Sequence, residues 1–263
     1  MKIQKYLAII KMYLIEQFSH FWNMATRTVV LAMILFIFLQ IWKTVYAGKS
    51  AIDGYTIAQM IWYLTLTEVI LFSTGSVRID SLGEEIRSGA ITSALLKPYH
   101  YAGREFCILL AEFISTFAIV GTAGILLAYF YVGPIQVTLI GLILTSLLII
   151  GSAIISFLIV LSLSLLALWL EDVTALMWIY QKFLFVLGGM LVPLDFYPLW
   201  LRQITAELPT TYIMYLPAKL FIHFNLSDFI KAIVGQVIWI IVFLGILAFI
   251  YKKGLKEVTS HGG

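Results

Sequence analysis

Long runs of apolar residues, separated by short polar stretches, dominate the chain. A hydrocarbon core about 30 Å thick is crossed by roughly 20 helical residues at about 1.5 Å per residue, so each run can be tested by its length. Six runs are long enough, and they cover about residues 25–42, 55–77, 105–132, 136–170, 173–192 and 228–251. This pattern predicts an all-α polytopic membrane protein with six transmembrane helices.

The fourth run, residues 136–170, is longer than a single span requires. Two short helices folded into a hairpin would use the extra length, but a hairpin needs a turn signal between them. The run contains no Pro, Asn or Asp after residue 136, and Gly151-Ser152 is its one weak position. A single long helix is therefore favoured over the hairpin.

The N-terminal residues 1–22 form a different kind of segment, in which lysines interrupt the apolar positions. Large apolar and aromatic residues recur at spacings of three and four at Tyr6, Ile9, Ile10 and Tyr13. This spacing predicts an amphipathic helix that lies in the headgroup layer of the membrane, the alternative being an early extension of the first span. The segment has no small-residue cleavage site, so we do not expect it to be a signal peptide.

Charge decides the expected orientation. Hydrophobic residues make up 62% of the chain and charged residues only 12%, and Lys and Arg accumulate on the cytoplasmic side of membrane proteins. With six spans, eleven of the 17 Lys and Arg residues lie on the side of the termini, five lie on the other side, and Lys182 lies within a span. We therefore expect a multi-pass protein of the cell membrane with both termini in the cytoplasm. The net charge of +3 gives no reason to expect a nucleic-acid partner.

Motifs for catalysis or cofactor binding are weak. Gly48-Lys49-Ser50 resembles the end of a phosphate-binding loop, but Lys43 occupies the position of the required first glycine. The one cysteine, Cys107, and the four histidines show no metal-ligand spacing. We expect no catalytic residue, no metal and no cofactor in this chain, and hence no enzyme activity of its own.

The segment between the second and third spans, residues 78–104, is polar and interrupted. Asp80 or Ser81 could cap a short helix that Gly89 ends, and Pro98 stops a second short piece. Such a segment suits docking against a soluble partner. The alternative is an ordinary solvated connector.

Two groups of motifs resemble one known family. The first is Glu84-Glu85-Ile86-Arg87-Ser88-Gly89, followed by Leu95-Leu96-Lys97-Pro98. The second lies downstream and includes Leu168-Trp169-Leu170-Glu171-Asp172, Gly189-Met190-Leu191-Val192-Pro193-Leu194 and Tyr215-Leu216-Pro217-Ala218. These stretches resemble type-2 ATP-binding-cassette (ABC-2) permeases, particularly their six-helix bacterial branch.

The resemblance implies partners and a docking site. Two membrane subunits, identical or homologous, would join two cytoplasmic ATPase subunits, which would bind the ATP and Mg²⁺. The segment between the second and third spans would be the coupling element. By this resemblance the ATPase-coupling residues are Glu84, Glu85, Arg87, Ser88 and Gly89.

The segment between the fifth and sixth spans, residues 193–227, is apolar but broken. It holds four of the six prolines, which are Pro193, Pro198, Pro209 and Pro217. It resembles the external re-entrant segment that caps the exit in the same family, and backbone of this kind is tolerated at membrane depth where protein covers it. An aromatic-rich interfacial loop is the alternative.

Three charged residues fall within predicted spans: Glu68, Glu112 and Lys182. Each lies roughly 10–14 Å from the predicted cytoplasmic end of its span, at about 1.5 Å per residue. Because charges in lipid are costly, we predict an ionic cluster centred on Lys182 that joins these helices or lines an inner gate. If the three residues instead carried coupling ions, the chain would be an ion-coupled secondary transporter or a channel, which is the main alternative function.

Aromatic residues in the spans are candidates for a substrate pathway between two permease subunits. They are Phe36, Phe38, Trp62, Tyr63, Trp178 and Phe185. They could form an apolar wall for a hydrophobic or amphipathic substrate, although aromatic residues in spans more often pack within the protein or mark the interfaces. The expected function is thus ATP-driven export by a permease dimer.

Overall fold

The computed structural model describes residues 2–19, 21–74, 99–170 and 172–261, together with residues 84, 85, 88, 90, 93, 96 and 97. This part of the chain contains ten named α-helices and no named strand. The helices are α1 Lys2–Ser19, α2 Phe21–Tyr46, α3 Ile57–Ser73, α4 Tyr101–Val132, α5 Leu139–Leu165, α6 Thr174–Val186, α7 Leu199–Thr205, α8 Pro209–Ile213, α9 Tyr215–Ile222 and α10 Leu226–His261.

Four of the described helices, α2, α4, α5 and α10, are long and apolar enough to cross a membrane. Helix α3 is also apolar but has 17 residues, and α6 has 13. The protein is therefore an all-α polytopic membrane protein, as the apolar runs predict. The structure contains no membrane, so the interfacial position of α1 stays a prediction.

The fourth apolar run is one continuous helix. Thr138 caps its start by accepting a hydrogen bond from the Gly141 amide at 3.1 Å, and the 3₁₀ turn Leu166–Leu168 extends its end. Gly151 and Ser152 are helical and buried against α10. Gly151 therefore allows α10 to pack closely against this helix, because a Cβ at Gly151 would overlap the Gln236 carboxamide.

Helix α6 ends at Val186, before the predicted end of the fifth span at residue 192. Two glycines follow it, and Gly189 has a φ of 69°, which ordinary residues rarely adopt. Three side-chain hydroxyls donate to carbonyl oxygens at and after this end: Tyr197 to Val186, Tyr63 to Gly189 and Thr67 to Met190. Protein groups therefore replace the helical hydrogen bonds that are lost there.

Helix α3 forms the centre of the fold. Met60, Ile61, Tyr63, Leu64 and Ile70 on this helix have no exposed surface. Helix α4 packs closely against α3: a Cβ at Gly124 would lie 3.0 Å from Val69 and 3.1 Å from Thr65. By contrast, α2 and α10 expose many large apolar side chains, as expected for helices in contact with lipid.

Candidate functional site

The segment predicted to dock an ATPase is described only in part. Glu84, Glu85 and Ser88 are described, whereas Arg87 and Gly89 lie outside the described residues. The Ser88 amide donates to the Glu84 carbonyl at 2.9 Å, and its hydroxyl donates to the same oxygen at 2.7 Å. These bonds form a turn of helix at the position where the sequence predicts one.

Arg104, in the first turn of α4, connects this segment to the membrane helices. One guanidinium nitrogen lies 3.1 Å from the Glu85 carboxylate and 2.6 Å from the Glu105 carboxylate. Glu105 has no exposed surface, and the side chains of Arg104 and Glu85 are 17% and 20% exposed. We refer to Arg104, Glu85 and Glu105 as the Arg104 cluster. Removing the arginine would take a close cation away from a buried carboxylate, which is unfavourable.

Helix α1 joins the Arg104 cluster from the other side. The Tyr13 hydroxyl is hydrogen bonded to the Arg104 guanidinium. The Tyr6 hydroxyl accepts from the His100 amide at 3.4 Å, and the Tyr6 ring lies directly over Gly103. The segment predicted to dock an ATPase therefore meets α1 and α4 at one point.

A second polar site lies at the opposite end of α3, and none of its residues is among the site residues predicted above. The Asp195 carboxylate accepts hydrogen bonds from Tyr55 at 2.7 Å and Tyr215 at 2.8 Å. It also forms ion pairs with Lys219 and Arg202, each at 3.0 Å. We refer to these five residues as the Asp195 cluster. It ties the residue just before α3 to the broken segment after α6.

The electrostatics of Asp195 favour its charged form. Burial acts to raise the pKa of this carboxyl, but hydrogen bonds from Tyr55, Lys219 and Tyr215 and the charge of Lys219 together lower it below its usual value. Burial also lowers the pKa of the neighbouring His223, whose ring lies 5.1 Å from that of Tyr55. Asp195 is therefore an anion held by two phenols and two cations.

The comparison with known families agrees with this architecture. Residues 28–262 match the sequence model of the family described as "ABC-2 family transporter protein". The chain belongs to the ABC-2 transporter family. Membership identifies it as a membrane-spanning permease component of an ABC transporter, which works with an ABC ATPase. No curated protein matches the chain at a significant level.

In this ABC-2 permease the three charges predicted to form a cluster are not brought together. Glu112 pairs with Arg27 of α2 at 3.0 Å, and Arg27 also donates to the Thr116 hydroxyl at 2.9 Å. Lys182 is exposed, and its ammonium lies 5.3 Å from the centre of the Trp178 ring and 5.2 Å from that of Phe185. Glu112 is therefore neutralised by Arg27 and not by Lys182.

Glu68 is 3% exposed on α3, and none of the ion pairs among the described residues joins it to Glu112 or Lys182. The prediction rested on equal depth in the membrane, but each helical residue also turns the side-chain direction by about 100°. On α3 that turn points the neighbouring Thr67 at Met190, while Val69 faces Gly121 and Gly124 of α4. Depth in the membrane alone, without the direction in which each side chain points from its helix, could not identify the ion-pair partners. Arg27 was counted only as a cytoplasmic charge, although it lies in the run that contains the first span.

The six aromatic residues predicted to line a pathway do not form one wall. Trp62 and Tyr63 are buried, and they donate to the carbonyls of Gly133 at 2.9 Å and Gly189 at 2.5 Å. Phe36 and Trp178 are more than half exposed, at 51% and 58%. Phe38 and Phe185 are half-buried. Trp62 and Tyr63 therefore stabilise the fold. The exposed Phe36 and Trp178 face either lipid or a partner subunit.

Proposed function

We propose that this ABC-2 permease exports a hydrophobic or amphipathic substrate across the cell membrane, as one of two permease subunits coupled to two cytoplasmic ATPase subunits. The termini and the segment around Glu84 and Glu85 would face the cytoplasm. The observation that carries this proposal is the Arg104 cluster, since it links the predicted docking segment to α4 through short ion pairs.

The proposed mechanism is alternating access. ATP binding would close the ATPase pair and displace residues 84–89. The Arg104 cluster would carry this displacement into α4, which packs tightly against α3 around Gly124. Helix α3 in turn holds the end of α6 through Tyr63 and Thr67 and leads to Tyr55 of the Asp195 cluster. Movement at one end of α3 would thereby open or close the broken segment at the other.

The proposed substrate class rests on the apolar character of the exposed helix faces. Phe36 of α2 and Trp178 of α6 present large rings to the surroundings. A second permease subunit placed against these faces would enclose an apolar pathway between the two copies. ATP and Mg²⁺ would bind to the ATPase partner.

Co-purification from native membranes tests the proposal. We expect an ATPase to accompany the wild-type chain and to be lost from the double variant Glu84→Arg/Glu85→Arg. Asp228→Arg is the matched control, because it reverses the charge of a side chain that is 46% exposed, in the first turn of α10 and far along the chain from the docking prediction, and it should retain the ATPase. A wild-type chain that purifies without an ATPase and still moves solute would overturn the proposal.

The ion-coupled alternative required Glu68, Glu112 and Lys182 to act together. No observation among the described residues favours it, because Glu112 pairs with Arg27 and Lys182 lies over aromatic rings.

A further inference from the structure

A cavity of about 340 Å³ lies beside the Asp195 cluster, between α7, α8, α9 and the first turns of α10. Small-molecule sites typically have volumes of about 300–1,000 Å³, so a ligand of this class fits. The cavity is open to the surroundings on one side, where Arg202 and Glu207 are exposed. Its charged lining residues are Arg202, Glu207, Lys219, Asp228 and Lys231.

Two cations lie side by side in the wall of this cavity. The Arg202 guanidinium and the Lys219 ammonium contact the same oxygen, Asp195 Oδ1, each at 3.0 Å. Because two positive charges share one carboxylate, one positive charge is left over. The Lys219 ammonium has three N–H groups, and Asp195 and Tyr215 accept two of them. The side chains of Arg202 and Lys219 are 45% and 24% exposed, so a ligand can reach them.

A carboxylate in the same cavity, that of Glu207, forms no ion pair with any described residue. It is exposed and accepts a hydrogen bond from the Tyr212 hydroxyl at 3.3 Å. The Trp239 indole donates to the Glu207 carbonyl at 3.1 Å, so α10 fixes the backbone that carries this carboxylate. The other two charged lining residues, Asp228 and Lys231, pair with each other at 3.8 Å. The cavity therefore has one surplus positive charge and one surplus negative charge.

We propose that this cavity binds the zwitterionic headgroup of an amphipathic substrate, with its acidic group on Arg202 and Lys219 and its ammonium on Glu207. A ligand with both charges neutralises both surplus charges, whereas a simple anion or a simple cation leaves one of them uncompensated. Ala206 and Leu216 also line the cavity and keep exposed surface, which the apolar part of the same molecule can contact. The inference rests on the proposed function, because export places this end of α3 on the exit side.

Calorimetric titration of the purified full-length chain in an uncharged detergent tests the charge pattern. The probes are glycerophosphoethanolamine, which carries a phosphate and an ammonium, glycerol phosphate, which carries the anion alone, and ethanolamine, which carries the cation alone. We expect the first probe to bind at least about tenfold more tightly than either of the others, because it alone pairs with both surplus charges. Equal binding of glycerol phosphate, or no binding of glycerophosphoethanolamine, would overturn the proposal.

Two variants assign the two charges to their residues. Glu207→Gln keeps the size of the side chain but removes its charge, so glycerophosphoethanolamine should then bind only as tightly as glycerol phosphate. Arg202→Gln removes the surplus cation and leaves Lys219 paired with Asp195, so binding of the same probe should fall about tenfold. Lys49→Gln removes an exposed charge in the loop before α3 and is the matched control, which should bind as the wild type does. Unchanged binding in both Glu207→Gln and Arg202→Gln would contradict the site.

The intact lipid distinguishes a membrane headgroup from a free solute. Phosphatidylethanolamine in the same detergent should bind at least about tenfold more tightly than glycerophosphoethanolamine, because its apolar part adds contacts beside Leu216. Equal affinities would make the ligand a free zwitterion and contradict the headgroup assignment. The titrations contain no ATPase, so their failure would leave the export proposal standing, and loss of ATPase co-purification would leave the titrations unaffected.

Discussion

The Arg104 cluster and the Asp195 cluster are built with opposite signs at opposite ends of α3. In the first, one cation holds two carboxylates; in the second, one carboxylate accepts from two cations and two phenols. The Arg104 cluster joins a short polar segment to a helix end, and its ion pairs can shift with that segment. The Asp195 cluster saturates a single anion from four directions, so it holds its parts together more rigidly. The difference indicates a movable connection at one end and a latch at the other.

Removing Asp195, the central anion of its cluster, should have the largest effect on the stability of the fold. In Asp195→Leu, Lys219 and Arg202 lose their shared partner and two phenols lose their acceptor. We expect the free energy of unfolding to fall by about 3 kcal/mol, at the low end for a broken buried ion pair because Arg202 remains half exposed to solvent. Thermal unfolding in detergent measures this loss. The control is Asp228→Leu, whose carboxylate is 46% exposed and pairs with Lys231 only at 3.8 Å, so the variant should change little. An unchanged Tm in Asp195→Leu would show that the cluster is not a latch.

Removing the central cation should lower coupling, and it should also lower stability because Glu105 is fully buried. In Arg104→Met the docking residues Glu84 and Glu85 are intact, so the ATPase should still co-purify. We expect transport-linked ATP hydrolysis to fall about tenfold, which corresponds to a coupling free energy within the usual 1–3 kcal/mol. Arg104→Lys should lie between the two, because an ammonium keeps the charge that one guanidinium nitrogen presents to both carboxylates but lacks the other donors of the guanidinium. Loss of ATPase binding in Arg104→Met would assign this residue to docking instead.

Acid should weaken the Asp195 cluster through its single carboxylate. Because the pKa of Asp195 is lowered in the folded protein, its contribution to stability is fully present above about pH 4, the ordinary carboxyl range. The contribution is lost as the pH falls further, through the lowered pKa. We expect the wild-type Tm to drop more steeply below pH 4 than that of Asp195→Asn. Parallel curves for the two proteins would contradict this assignment.

Lys182 belongs to neither cluster, and its removal should have the smallest effect. Lys182→Met replaces an exposed cation that contacts two rings, so the free energy of unfolding should change by less than about 1 kcal/mol. Arg27→Met is the informative comparison, since it leaves Glu112 buried without its cation and should cost more. If Lys182→Met proved the more damaging of the two, the pairing of Glu112 with Arg27 would be in doubt.

The sequence was sufficient for the class of fold, because the signal for a membrane helix is local. The length of the apolar runs alone identified α2, α4, α5 and α10. The lack of a turn signal favoured a single helix, and not a hairpin, for residues 136–170. The end of α6 was harder, since Gly188 and Gly189 stop the helix within a run that remains apolar to Val192. The length of a run shows that a helix can continue there, and backbone geometry determines where it stops.

The polar sites were less predictable, because their members are far apart in the chain. Tyr55 and Asp195 are 140 positions apart, and Arg27 and Glu112 are 85 apart. A single sequence gives no distance between such residues. Asp195 nevertheless carried a signal: it is the one carboxylate between Asp172 and Glu207, in a stretch rich in proline and aromatic residues. A single carboxylate in an apolar stretch needs cations or hydrogen-bond donors as partners. The nearby Arg202, Tyr215 and Lys219 were candidates for that role.

The short helix α6 also bears on how the membrane stays sealed against ion leakage. Its 13 residues span about 20 Å, less than the hydrocarbon layer. Ordinarily, exposed carbonyls at such a depth would draw in water, and a file of water conducts protons. Here the hydroxyls of Tyr63, Thr67 and Tyr197 take the place of that water. We therefore expect the resting permease to keep a low proton conductance even where its helix stops short of the surface.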